Sequence, residues 1–286
     1  MKNYQSLLFP YAYNILGSTE DAKDAVQDVV LKYTSKGFQP GNEKNYLIKG
    51  VINQAINMKR RKKRVQPHDE WLPEPVSTER ADLGVELREL VSYSLLFLLE
   101  RLNPKERAVY ILKEAFAYTH EEIAEALSIS VENSRQLLSR ASKKVNANTP
   151  ETPKAESQTA LSEQSRQSID RFVFAIRNKD LDQLHHLLSE DISYHADGGG
   201  KIKVVKKYCT GIREVAELLA YVYHTYQRKT TIKPAIVNHQ PALLYYYRDK
   251  LVTCQVLEFD DDSSKIRRIS AIVDPQKLSG LGGLSL

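Results

Sequence analysis

The chain has 286 residues, 42% of them hydrophobic, and 41 basic against 36 acidic side chains give a net charge of +5. No apolar run is long enough to span a bilayer, the first 16 residues lack a basic start followed by an apolar core, and Cys209 and Cys254 fit neither a metal-ligand spacing nor a disulfide framework. A soluble chain of two or three domains in a reducing cytoplasm is expected, with no metal or cofactor, and any claim about nucleic acid must rest on local clusters of charge.

The first clear helix start is Ser18-Thr19-Glu20-Asp21. Asp21, Asp24 and Asp28 then recur at spacings of three and four, with Gln27 beside them, and form an acidic stripe that suits a basic protein partner or a solvated surface and not DNA. From about Tyr46 a second helix carries Ile48, Val51, Ile52, Ala55 and Ile56 on an apolar side and Lys49, Asn53 and Asn57 at intervals of four on a polar one. It ends in six consecutive cations, Lys59-Arg60-Arg61-Lys62-Lys63-Arg64. Cations in a last turn favour the helix dipole in any protein. Here a polar face leads into them, and Tyr33, Phe38 and Tyr46 stand close by as rings of the kind on which unstacked bases lie. Trp71-Leu72-Pro73-Glu74-Pro75 follows. Its prolines force an extended path, and the only tryptophan of the chain is expected to dock on a neighbouring domain instead of exposing its apolar area.

The segment Leu83 to Arg101 has the apolar spacing of an amphipathic helix. Asn103-Pro104-Lys105-Glu106 supplies a cap, a proline at the first helical position and a glutamate at the third, opening a helix to about Ala115. Thr119 and Glu122 form a second capping box, with Tyr118 and Ile123 as a hydrophobic staple. Ser128-Ile129-Ser130 makes a turn, and Ser130 caps a third helix from Val131 to Lys144. Ile123, Ala124, Leu127, Ile129, Leu137 and Leu138 fall inward. Ser130, Glu132, Asn133, Arg135, Gln136 and Arg140 fall at the cap or outward, with the amides and guanidinium groups that bond base edges and phosphates. This is the layout of a helix-turn-helix set into a major groove, although an ordinary three-helix unit has the same caps and the same amphipathicity.

Residues 146 to 160 are polar and proline-bearing, and read as a linker. Beyond them Ser168 to Leu188 reads as two helical pieces. Strand-like runs follow at Ile192 to His195, Ile202 to Tyr208, Thr230 to Asn238, Ala242 to Tyr247, Leu251 to Phe259 and Ile266 to Val273, with a helix at Ile212 to Tyr223. Helices beside a curved antiparallel sheet make an α+β domain. The turn Asp197-Gly198-Gly199-Gly200-Lys201 permits positive φ and a close backbone approach, which serves a contact loop or a plain hairpin equally.

Residues 4 to 145 resemble the sigma-70 family of bacterial transcription initiation factors, in particular the short extracytoplasmic-function type. The residues that carry the resemblance are Asn14-Ile15-Leu16-Gly17-Ser18, Asp21 to Asp28, Tyr46-Leu47 with Asn53, and the run Arg135-Gln136-Leu137-Leu138-Ser139-Arg140-Ala141. The Trp71 to Pro75 segment, the Asp197 to Lys201 turn and the tail Asp274-Pro275-Gln276-Lys277-Leu278 extend the likeness to members with a fused SnoaL-like domain. The implied architecture is two all-α sigma domains, at 1–66 and 83–145, the second with the helix-turn-helix. A linker at 67–82 joins them, a second linker covers 146–160, and a SnoaL-like cone with a curved antiparallel sheet and a tail covers 161–286.

The resemblance implies core RNA polymerase and promoter DNA as partners. Asp21, Asp24, Gln27 and Asp28 would face the polymerase. Lys49, Asn53, Asn57, Lys59, Arg60, Arg61 and Arg64 would meet the minus-ten element, and Ser130, Glu132, Asn133, Arg135, Gln136 and Arg140 the minus-thirty-five element. Trp71, Leu72, Pro73, Asp197, Gly198, Gly199, Gly200, Lys201, Asp274 and Lys277 would regulate in cis. Ile52 and Asn57 depart from the arginine and aspartate often found in the minus-ten helix, Ser128 and Ser134 from a glycine and an aliphatic residue, and Asp274 and Gln276 from asparagine and aspartate. Two other readings stay open. One is a polymerase-independent DNA-binding regulator whose third domain senses a small-molecule or protein ligand. The other is an isomerase or cyclase in which Tyr194, His195, Asp197 and Tyr208 line a pocket.

Overall fold

The computed structural model describes residues 4–35, 40–65, 71–78, 85–147, 163–260 and 264–281. Phe38 and most of the 146–160 linker lie outside the described residues, as do the side chains of Lys63, Arg64 and Val65. The chain divides into two units: one holds residues 1–69 and 81–157, the other residues 70–80 and 158–286.

Among its described residues, the first unit is helical with short connecting turns. α1 (Tyr4–Leu16), α2 (Thr19–Ser35) and α3 (Glu43–Val65) pack around Leu8, Tyr13, Ile15, Ala22, Ala25, Leu47, Val51, Ile52 and Ala55. Gly17 ends α1 with φ of 73°, and its amide bonds Tyr13 O at 2.7 Å, the left-handed stop that glycine adopts without strain. The Ser18 hydroxyl then accepts from the Asp21 amide at 3.3 Å and starts α2. Ile52 is fully buried, so its departure from arginine is a core choice.

The single helix expected over Leu83 to Arg101 is instead a 3-10 turn (Val85–Glu89) and a separate α4 (Tyr93–Leu99). The break is held from elsewhere in the chain: the Asn14 side-chain amide donates to Glu89 O at 2.9 Å and accepts from Val91 N at 3.2 Å, and Ser92 caps α4. α5 (Pro104–Glu114), α6 (His120–Leu127) and α7 (Val131–Asn146) follow, with complete capping boxes at Asn103/Glu106 and Thr119/Glu122 and a Ser130 cap on α7. Both expected helical modules lie in one unit: α3 packs on α5 and α6, and α1 packs on α5.

The second unit begins with α8 (Glu163–Asn178) and α9 (Leu181–Leu187), which lead into β1 (Leu188–Asp197). Then come β2 (Tyr208–Thr210), α10 (Ile212–Val222), a π turn at Tyr223–Gln227, and the meander β3 (Thr231–Val237), β4 (Gln240–Tyr247), β5 (Lys250–Phe259) and β6 (Ile266–Ile272). α11 (Pro275–Leu278) and a 3-10 turn (Ser279–Leu281) complete the described chain. The six strands form one sheet in the order β2-β1-β6-β5-β4-β3.

Two expectations are corrected here. The sheet is mixed, because β1 runs parallel to β6, while every other pair is antiparallel. The run Ile202 to Tyr208 is mostly loop, since Gly198 O takes the amides of both Lys201 and Ile202 and turns the chain away from the sheet. Register shifts in β1, between β4 and β5 and between β5 and β6 bend the sheet. Tyr194, Leu243, Tyr245, Leu257 and Ile269 of the sheet share one buried cluster with Tyr223 of the π turn and with Phe172, Leu184 and Leu219 of the helices.

Candidate functional sites

On α2, Asp24, Gln27 and Asp28 face solvent, while Asp21 is half-buried. Asp21 holds the Lys62 ammonium at 2.6 Å and Asp28 accepts from the Gln54 amide at 2.7 Å. Two members of the acidic stripe are therefore tied to α3, and Asp24 and Gln27 carry its open part.

α3 places Asn57, Arg60 and Arg61 in solvent, with Arg60 donating to Asn57 at 3.1 Å. Lys49 is half-buried and its carbonyl accepts from Asn53 at 2.9 Å. Asn53 also donates to Ala126 O of α6 at 3.1 Å. Lys59 is withdrawn further: it bonds Leu16 O at 3.0 Å and the Glu100 carboxylate at 2.9 Å. Burial, and then the neighbouring Arg107 charge, pull the Lys59 ammonium down to about 8 against the attraction of Glu100. Burial alone would raise the Glu100 carboxyl, but Arg107 and Lys59 outweigh it and hold it below the usual range. The expected minus-ten set is thus brought onto one helix but divided between solvent and a buried ion network. Arg64 lies on the same helix, its side chain outside the described residues. Tyr33 and Tyr46 sit 6.0 Å apart by ring centroids, with Tyr33 donating to Glu43 at 2.8 Å and Tyr46 38% exposed.

α7 exposes Glu132, Asn133, Arg135, Gln136 and Arg140 and buries Ser134, Leu137, Ala141 and Val145. Ser130 is exposed, and its hydroxyl is spent on the cap, accepting from Asn133 N at 3.1 Å. Ser134 is fully buried, with its hydroxyl 2.9 Å from His120 Nδ1, so a hydrogen bond replaces the apolar contact usual at that position. Ser128 has φ of 52° and ψ of 53°, the left-handed conformation for which glycine is the common choice.

In the second unit, Asp197 stands at the end of β1. One oxygen accepts from Leu72 N at 2.9 Å and meets Lys277 Nζ at 2.5 Å; the other accepts from Gly199 N at 2.7 Å. Lys277 donates as well to Leu72 O at 2.6 Å and lies 4.3 Å above the Trp71 ring. Asp274 caps α11 by accepting from Gln276 N at 3.0 Å. The glycines have steric reasons: a Cβ on Gly198 would fall 1.9 Å from Ile202 O, and one on Gly199, where φ is 62°, 2.1 Å from Asp274 Oδ2. Gly200 also has positive φ, and Lys201 is exposed. Trp71, Leu72 and Pro73 therefore form a strap on the third domain, clasped by Asp197 and Lys277. Sequence reasoning missed the other anchor. Val76 N donates to Asn238 Oδ1 at 2.9 Å, Asn238 N to Val76 O at 2.8 Å, and His239 N to the Thr78 hydroxyl at 2.9 Å. Asn238 and His239 both have positive φ in the two-residue turn between β3 and β4, and the asparagine was the one visible signal of that turn.

The residues considered for catalysis are engaged in structure. Asp197 is surrounded by a cation and amides, His195 is buried against the Tyr208 ring at 4.9 Å, and burial drives the Tyr194 hydroxyl well above its ordinary value. An open cavity of about 310 Å³ lies outside the sheet, lined by Lys179, Leu181, Glu217, Tyr221 and His224 among others.

The sigma-70 region 2 model matches residues 1–65 and the sigma-70 region 4 model residues 92–145. The extracytoplasmic-function (ECF) RNA polymerase sigma factor SigJ of Mycobacterium tuberculosis is 29% identical over 225 residues, which cover 77% of this chain and 70% of SigJ. The probable ECF RNA polymerase sigma factor SigI of the same organism is 27% identical over 288 residues, covering 97% of this chain and 93% of SigI. The crystal structure of SigJ shares the fold over 97% of this chain and 96% of that one, with a TM-score of 0.75 at 23% identity. The chain thus carries sigma-70 regions 2 and 4 in order, is similar to extracytoplasmic-function RNA polymerase sigma factors along most of its length, and shares the fold of SigJ, including the α+β domain that follows the two regions.

Proposed function

We infer that this protein is a transcription initiation factor that binds core RNA polymerase through α2, contacts the minus-ten element with α3 and the minus-thirty-five element with α7. The observation that carries this reading is α7: a capped helix with an apolar inner side and five base-competent or phosphate-competent side chains in solvent. The family relatives support polymerase as the partner, and none of the described helices is long and apolar enough to cross a membrane, in keeping with work in the cytoplasm. The expected domain limits, 1–66, 83–145 and 161–286, serve as functional boundaries, with the strap at Trp71 to Thr78 attached to the third.

The third domain regulates in cis by holding that strap. The chain passes from the first sigma region through the strap to the second, so the Asp197–Lys277 clasp is in series with both. A small ligand of the third domain would have the open cavity beside Tyr221 and His224 as its place. Transcription in vitro with core polymerase and a genomic template library tests the reading. Initiation at defined promoters that needs this protein is expected. DNA binding with no polymerase-dependent initiation on any template would favour the polymerase-independent regulator instead.

A further inference from the structure

Two irregular features of the second unit's helices meet at the open cavity. The first is Lys179, which follows α8 with φ of 57° while the next amide, Asp180 N, bonds Ala175 O at 2.9 Å. This is the left-handed helix stop that glycine takes without strain, and any other side chain there is held against its preference. Lys179 is exposed and lines the cavity, and no ion pair or hydrogen bond occupies its side chain among the described residues. The second is the π turn Tyr223–Gln227, a geometry that recurs at functional sites. Tyr223 and Gln227 are buried, and His224, Thr225 and Tyr226 between them face solvent. His224 and Thr225 line the same cavity.

The lining selects an occupant by shape and charge. Tyr221 of α10 lines the cavity and is 52% exposed, and Tyr226, 64% exposed, stands edge-on to it with ring centroids 6.3 Å apart. Large apolar groups left in water beside polar ones mark interaction sites. Leu181 and Ala220 continue the apolar wall. Glu217, the carboxylate of the lining, is already paired with Arg213 at 3.0 Å, and Asp180 beside Lys179 caps α9 by accepting from Gln183 N at 2.9 Å. The Lys179 ammonium is the charge left unanswered. A volume of about 310 Å³ lies at the small end of ligand sites, which run from about 300 to 1,000 Å³, and suits a compact molecule.

We propose that this cavity binds a small aromatic carboxylate, its ring against Tyr221 and its carboxylate on Lys179. The proposal rests on the reading that the third domain takes a small ligand, and it names the class of that ligand. Ring contact supplies orientation, and the charge-assisted bond to Lys179 discriminates against neutral rings. The strained backbone at Lys179 then serves to hold its ammonium at the cavity.

Ligand-observed NMR titrations of the full chain with benzoate, benzamide and cyclohexanecarboxylate test the ring and the charge separately. Benzoate should saturate with a dissociation constant of about 1 mM, and the other two should bind about tenfold more weakly. Lys179→Gly should keep the fold, since glycine suits that φ, and should weaken benzoate about tenfold while leaving benzamide unchanged. Tyr221→Ala should weaken both. Benzoate affinity equal in wild type and Lys179→Gly would place its binding elsewhere and overturn the proposal. Benzamide bound as tightly as benzoate would uphold a small-ligand cavity and overturn the aromatic carboxylate as its occupant. No saturation by any of the three would overturn both the proposal and the small-ligand reading on which it rests.

Discussion

Ser128 shows how one side chain records a compromise. Its left-handed φ places a Cβ where glycine has none, a strain on the order of 1–2 kcal/mol, partly offset because glycine loses more backbone freedom on folding. Ser128→Gly is therefore expected to stabilise the helical unit by about 0.5–1 kcal/mol, seen as a rise of a few degrees in Tm. A lower Tm would mean that the serine contributes more than its backbone costs. Lys277 is the opposite case. It is the counter-charge of the buried Asp197, and Lys277→Met leaves that carboxylate without a cation, a loss of about 3–5 kcal/mol for a broken buried pair. Because Lys277 also covers Trp71, the only tryptophan, the variant's fluorescence should shift to the red as the strap detaches. Emission unchanged from wild type would show that the strap stays in place without the Lys277 contact.

Among the elements, those with local signals were legible from the residues: the boxes at Asn103 and Thr119 and the Ser130 cap start helices where the sequence places them. The failures have tertiary causes. Leu83 to Arg101 has one continuous apolar face, yet it breaks before α4 because Asn14, about 75 positions earlier, satisfies the freed backbone at Glu89 and Val91. Ile202 to Tyr208 alternates like a strand, but Gly198 draws its start into a turn. The sheet is mixed because β1 meets β6, a pairing no periodicity reveals. The open part of the acidic stripe on α2 is best probed by Asp24→Lys, since Asp21 and Asp28 also bond α3. Binding to core polymerase should weaken about tenfold with the melting curve unchanged. On α7, Arg135→Ala combined with Gln136→Ala should abolish initiation that depends on the minus-thirty-five element, because both side chains are exposed and only weakly tied, Arg135 4.0 Å from its carboxylate partners and Gln136 3.5 Å from Glu132. Full activity in that double variant would leave α7 as a solvated helix.

For the molecule as a whole, two paired carboxylates of the helical unit bear on its response to acid. Burial opposes ionisation of Glu100 and Glu106, yet Arg107 and Lys59 around the first, and Lys144 and the Asn103 amide around the second, bring both carboxyls below their ordinary 4.5. A group lowered by folding stabilises the fold above its unfolded value and loses that contribution as pH falls through the folded one. The helical unit should therefore hold its stability above pH 4.5 and lose part of it as pH falls below that value, measurable by denaturant unfolding across that range. Glu106→Gln should flatten the dependence, and an equally steep profile in the variant would place the acid sensitivity elsewhere.

Capping residues, apolar spacing and the run of cations after Asn57 are local properties, so the helices, the exposed polar face of α7 and the resemblance to the sigma-70 family were open to inspection without coordinates. Contacts between distant segments are not local. That Glu100 would claim Lys59, that the Trp71 strap would lie on the third domain beneath Lys277, and that aromatic side chains of sheet and helices would share one buried cluster each depend on which surfaces meet once the chain has folded. Burial in those meetings turned a lysine expected to face DNA into half of an ion pair and a candidate acid–base aspartate into a clasp.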